Sequence, residues 1–239
     1  RRWGMLPTCD AVVCEGGSRV FVHDRPDAEF AKSFEHISGP IDRDVVGEDF
    51  RPENLWEFYR MLRDGIPGLK LDAKSYYGMF RVSTQGDTAT EAALREMLQT
   101  SMPPTLHVNS NLGKYDVFPK SAGKDNSVMY LQKKFGVNRQ ETACLFDDDN
   151  DLLMAEQCGI HMLPSLTSNS VKNAAAQSPS WYVAKSVGQG VFATEECLEI
   201  LLERVKAEQQ MQDDVRALLG EVETALPNSL NQATLEKYT

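Results

Sequence analysis

Asp147, Asp148, Asp149, Asn150 and Asp151 follow directly on the apolar run Ala143, Cys144, Leu145 and Phe146. Carboxylates gathered at the end of a buried strand lose hydration and repel one another unless a positive charge sits among them. A hard cation of the Mg²⁺ kind answers that need. The plainer alternative is an exposed acidic loop that caps the next helix. Leu152, Leu153, Met154 and Ala155 continue in a helical pattern, so the cluster is the turn of a strand–turn–helix unit. Ligands of open α/β sheets collect at such carboxyl ends of strands. Upstream, the segment Phe118-Pro119-Lys120-Ser121-Ala122-Gly123-Lys124-Asp125 opens another helix. Most lysines are merely solvated. Lys124 stands apart by its position relative to the acidic turn, and a compact ammonium there suits a phosphate.

A calcium loop is excluded by its own spacing rule. Asp147, Asp149 and Asp151 fit its first, third and fifth positions, but Leu152 stands where Gly is required and Cys158 where Glu is required.

The elements that must position these residues alternate. Helices are expected over 126–135, 151–157 and 169–177, and strands over 142–146, 160–163 and 181–184, after a strand at 115–118. Strands separated by helices of this length imply βαβ units and a parallel sheet. Before them, 10–14 and 19–22 read as strands joined by a Gly-rich turn at 15–18. A mixed block follows, with helices over 28–37, 54–63 and 88–100 and strands over 76–83 and 105–108. Asp87 or Thr88 caps the helix at 88–100. From Thr194 the chain is helical, with Leu198, Leu201, Leu202 and Val205 at core spacing, and from about residue 228 it is expected to be loose.

With 239 residues, 41% of them hydrophobic, the chain can build a real core. Its net charge of −10 argues against a broad nucleic-acid or anionic-membrane surface. No apolar stretch is long enough for a membrane span. Five cysteines without a C-x-x-C pair point to a reducing, intracellular compartment, cytoplasmic or plastid. The chain begins with Arg1 and not Met, as a piece of a longer polypeptide would.

The order of these parts resembles the haloacid dehalogenase (HAD)-like hydrolases, in the Cof and sucrose-phosphatase branch. That branch shows a Lys opening a helix and then a strand ending in G-D-x-x-N-D-x-x-M. Phe146-Asp147-Asp148-Asp149-Asn150-Asp151-Leu152-Leu153-Met154 is similar, and Asp10-Ala11-Val12-Val13-Cys14-Glu15-Gly16-Gly17 is similar to the branch's D-x-x-I-C-x-N-G strand and turn. The resemblance implies an α/β fold, a Rossmann-like parallel-sheet core with an inserted α+β cap. It divides the chain into core (1–25), cap (26–114), core (115–205) and a helical extension (206–239). It implies Asp147 as a Mg²⁺ ligand, Asp151 as a second one, direct or through water, and Asn150 as an orienting group. Lys124 becomes the catalytic cation that neutralises the phosphoryl of a small phosphorylated substrate such as a sugar phosphate. Phe146 and Asp125 depart from the pattern, each standing where the branch has Gly.

The branch's nucleophile motif, D-x-D-x-T, does not appear, nor does its Ser/Thr motif. The Asp147–Asp151 run has D-x-D spacing but comes after the Lys and the cap, the wrong order for it. A parallel sheet that lacks its central strand leaves facing, unpaired edges, so the missing strands are expected upstream. The alternative is a catalytically inactive HAD-like binding or assembly domain of a larger protein. Chains of this look also resemble the carboxyl-terminal part of plant chloroplast YbeY-type ribonuclease proteins. The metal-binding histidine motif of those nucleases is absent, since His23, His36, His107 and His161 lie far apart.

Overall fold

Short runs of β-branched residues form the first elements, because branching at Cβ suits an extended, half-buried backbone. In the computed structural model, β1 (Ala11–Cys14) and β2 (Arg19–Val22) pair antiparallel, with Ala11 opposite Val22 and Cys14 opposite Arg19. β3 (Arg25–Pro26) extends this hairpin into a three-stranded sheet. The structure describes residues 8–40, 48–74, 76–111, 113–185 and 190–225. The first residues of the expected core (1–7), part of the expected cap (41–47) and the tail expected to be loose (228–239) lie outside the described residues. The chain divides into two compact units, Arg1–His161 with Leu166–Trp181, and Met162–Ser165 with Tyr182–Thr239.

In the first unit the helix expected over 28–37 is broken into α1 (Ala28–Lys32) and α2 (Glu35–Ser38). The Ser33 hydroxyl donates to the Phe30 carbonyl at 2.7 Å, a local bond that competes with the helical ladder. The break lets Phe30 and Phe34 bury their rings edge to face. α3 (Asn54–Gly65) buries Leu55, Trp56, Phe58, Tyr59 and Leu62. Burial of each such side chain contributes roughly 1.5–3 kcal/mol.

Against this core stand β4 (Lys70–Asp72), β5 (Phe80–Ser83), α4 (Thr88–Thr100), β6 (Leu106–Asn111) and β7 (Lys114–Pro119). The strands form an antiparallel sheet in the order β4-β5-β7-β6. Of the two cap candidates, Asp87 caps α4 by accepting from Thr90 N–H, and Thr88 is the first residue of the helix. β5 begins at Phe80, not at 76, because the N–H groups of Tyr77 and Gly78 donate to Glu15 Oε2 and leave the ladder. β4 escapes sequence reading, as three residues with one apolar side chain carry no periodicity. The strand expected to lead the parallel region, 115–118, is instead β7 of the antiparallel sheet, which therefore continues past the boundary drawn at 114.

The alternating region follows with α5 (Lys124–Phe135), β8 (Ala143–Leu145), α6 (Leu152–Glu156), β9 (Ile160–Leu163) and α7 (Asn169–Gln177). Thr142 O accepts from both Gly159 N–H and Ile160 N–H, which sets the start of β9 beside the start of β8. In the second unit the end of β9 pairs parallel with β10 (Tyr182–Val183), Met162 opposite Tyr182. α8 (Val191–Ala225) follows. It buries Ala193 and Cys197, whereas Leu198, Leu202 and Val205 are 50%, 53% and 50% exposed, so the face expected to form core faces outward. No helix among the described residues is long and apolar enough to cross a membrane.

Candidate active site

Lys124 owes its place to a crossing of two glycines. Gly123 N–H and the buried Ser127 hydroxyl both donate to Gly17 O, at 3.3 and 3.0 Å. A Cβ on Gly17 would lie 2.1 Å from the Gly123 carbonyl carbon and 2.5 Å from Lys124 N. The Gly-rich turn of the first hairpin thus pins the start of α5, and Lys124 is that helix's first residue. A cation there opposes the helix dipole. Departures of this kind concentrate at functional positions.

The acidic turn compensates the charge. Lys124 Nζ donates to Asp151 Oδ1 at 2.5 Å and to Asn150 Oδ1 at 3.0 Å. An ammonium has three N–H donors, so one remains for an anion. Asp149, Asn150 and Asp151 form a 3-10 turn that runs straight into α6. Residues 167 and 168 brace it. Thr167 N–H donates to Asp147 O at 3.1 Å, and the Ser168 hydroxyl donates to Asp149 Oδ1. Ser168 also caps α7 by accepting from Val171 N–H. Sequence reasoning overlooked Thr167 and Ser168, whose only signal is an N-cap residue before a helix.

The structure thus brings together Lys124, Asn150 and Asp151 of the residues singled out above. Asp147 is exposed on the same turn. Among the described residues, no three His, Cys, Asp or Glu side chains gather as metal ligands. Asp151 is engaged with Lys124 and Asp149 with Ser168, so these carboxylates do not by themselves complete a magnesium site. Phe146 does not stand over the turn as a loose ring. It is buried edge to face against Trp181, with ring centroids 5.3 Å apart, and against His161 at 6.2 Å. The neighbouring Cys158 thiol and burial push the Cys144 thiol up, which sets it aside as a nucleophile.

A cavity of about 160 Å³ opens at Lys124 and Asn150. Its lining includes the apolar Phe118, Leu153 and Met154 and the polar His107, Asn109 and Lys120. The sequence offers Asn109, Ser110 and Asn111 either as ligand contacts or as a turn between two strands of the cap. They belong to strand β6, and Asn109 reaches the cavity.

Comparison with known proteins bears on the family and the fold. The family model of sucrose-6F-phosphate phosphohydrolase matches residues 4–206. Sucrose-phosphatase from Synechocystis sp. PCC6803, solved with sucrose and phosphate, superposes with a TM-score of 0.51 at 16% identity, covering 73% of this chain and 66% of that one. A Streptococcus mutans protein superposes with a TM-score of 0.53 at 13% identity, covering 82% and 77%. A putative phosphatase of Haemophilus influenzae is 26% identical over 123 residues, 52% of this chain and 47% of the relative. The chain therefore spans about half the length of that curated relative. The α/β fold, with its parallel strands, is shared with that sucrose-phosphatase. The chain belongs to the sucrose-6F-phosphate phosphohydrolase family.

Proposed function

We propose that this chain is the cap-bearing, carboxyl-terminal part of a Mg²⁺-dependent phosphatase that hydrolyses a small phosphomonoester, a sugar phosphate in the first instance. The observation that carries the reading is Lys124, held by Asp151 and Asn150 with one N–H free at the mouth of a cavity. An ammonium fixed in that way offsets charge on a transferring phosphoryl group without having to reorganise. Asp151 and Asn150 together keep the lysine charged and directed. The attacking carboxylate is assigned to an aspartate outside residues 1–239, since this sequence has no D-x-D-x-T. The reading includes Mg²⁺ held at Asp147, with Asp151 as a further ligand only where Lys124 releases it.

The test is phosphate release from small phosphomonoesters by the full native polypeptide, with and without Mg²⁺. Turnover that requires the metal and is lost in Asp147→Ala supports the reading. Turnover that persists after chelation, or in Lys124→Ala, defeats it. A second reading, an inactive phosphatase-like binding module, is favoured by Phe146, which occupies the position of the branch's glycine and is locked into an aromatic cluster. The native sequence preceding Arg1 separates the two: a D-x-D-x-T there supports the enzyme, and a native polypeptide without one supports the module.

A further inference from the structure

α8 runs for 35 residues, and every residue from Leu202 to Leu219 is exposed. A helix in water draws most of its stability from packing an apolar face, not from its own backbone bonds. The apolar residues of this stretch keep a strict period. Leu198, Leu201, Val205, Val215 and Leu219 follow alternating steps of three and four, with Glu208 and Gln212 at the two steps between. That is the 3.5-residue seam of a two-stranded coiled coil. Leu202, Met211 and Leu218 flank the seam at the positions that border it. Of these side chains Leu198, Leu202, Val205, Met211, Val215, Leu218 and Leu219 are all exposed. At roughly 80–100 Å² each, two such helices hold more than the ~1,000 Å² that a specific interface needs.

The order of the seam says what covers it. It is symmetric about residue 210: Leu201 mirrors Leu219, Val205 mirrors Val215, and Glu208 mirrors Gln212. A two-fold axis at that level lays an identical helix alongside in the opposite direction. Leucine then meets leucine and valine meets valine. In the two central layers the Gln212 amide N–H of one copy donates to the Glu208 carboxylate of the other. Beside the axis Met211 meets its own copy on one flank and Gln209 meets its own copy on the other, both self-complementary. A parallel pair sets Glu208 against Glu208 within the apolar seam, where two carboxylates repel and lose hydration. A polar layer of this kind fixes direction and register at some cost in stability.

We propose that α8 joins two copies of this chain in an antiparallel coiled coil centred on residue 210, with Glu208 and Gln212 selecting its direction and register. The inference needs no catalytic step and stands apart from the phosphatase reading.

Sedimentation velocity of the full native polypeptide over roughly 1–100 μM is expected to show twice the monomer mass. Val215→Asp places an unpaired carboxylate in two layers and is expected to weaken the dimer by roughly a hundredfold or more. Val215 is exposed in the single copy, so the fold of each protomer does not depend on it. Gln212→Lys puts an ammonium opposite each Glu208 carboxylate and is expected to tighten the dimer by roughly two- to thirtyfold. Misfolding cannot mimic such a gain, and a parallel pair responds the other way, because the two new ammonium groups then face each other. The proposal is overturned if the polypeptide stays monomeric over that range, as a face kept for a different protein would leave it. It is equally overturned if Val215→Asp leaves the dimer intact, or if Gln212→Lys weakens the dimer or leaves it unchanged.

Discussion

Replacing Gly17 by alanine probes the device that places Lys124. Gly17 has φ +94°, where a side chain strains the backbone by roughly 1–2 kcal/mol. The added Cβ also falls 2.1 Å from Gly123 C and 2.3 Å from Gly123 O, which are backbone atoms and cannot rotate away. Relief requires the start of α5 to shift, at a cost of about 1–3 kcal/mol for overpacking. The shift also stretches the bonds that Gly123 N–H and Ser127 Oγ make to Gly17 O, worth about 1 kcal/mol each. The total is on the order of 4–7 kcal/mol, a large part of the ~5–15 kcal/mol that holds a typical domain together. Gly16→Ala is the internal control. Its φ is +63°, but its Cβ meets nothing closer than 3.9 Å, so only the backbone cost of roughly 1–2 kcal/mol applies. Urea unfolding followed by circular dichroism is expected to place Gly17→Ala at least ~2 kcal/mol below Gly16→Ala, a difference of roughly 4–8 °C in melting temperature. Phosphate affinity should fall further in Gly17→Ala, because Lys124 N lies 2.5 Å from the new methyl group. Equal stability and equal phosphate affinity in the two variants would refute the idea that the glycine crossing sets the lysine.

Burial works to raise the Asp27 carboxyl, but hydrogen bonds from Lys134, Phe30 N–H and Tyr130 outweigh it and hold the group below the usual range. A depressed acid contributes stability that is present above its unfolded value of about 3.9 and is lost as pH falls through the folded value. The urea midpoint of the wild type should therefore drop more steeply below about pH 4 than that of Asp27→Asn, which still caps α1. Arg81 grips Asp116 through two bonds, of 2.6 and 2.7 Å, between β5 and β7. Arg81→Met leaves a nearly buried carboxylate unpaired and should cost ~1–3 kcal/mol. Adding Asp116→Asn should restore part of that loss, as read from melting curves.

Long, periodic elements were legible in the sequence. The helix at 88–100, its Asp87 cap, the strand at 160–163 and the helix at 169–177 stand where their patterns put them. The misplacements have two causes, a partner distant in sequence and, at Ser33, a local bond that competes with the helix. Glu15 draws Tyr77 and Gly78 out of the strand expected from 76, and Ser33 ends α1 early so that Phe34 can pack. β7 reads as an ordinary strand, and nothing in its own residues says that its neighbours are β5 and β6. On α8, leucine spacing marks an apolar face, but the face that is buried carries Ala193 and Cys197.

At the site, sequence alone determined which residues carry charge and in what order: Lys124 opening a helix, then a strand, then an acidic turn. Those are local facts, since residue type and short-range period are written along the chain. Tertiary structure decided that the lysine is gripped by Asp151 and Asn150 while Asp147 stays exposed. It also decided that Gly17 sets the helix start and that His107 and Asn109 share the cavity. Each of these depends on the distance between segments far apart in sequence, which packing fixes and no local pattern encodes.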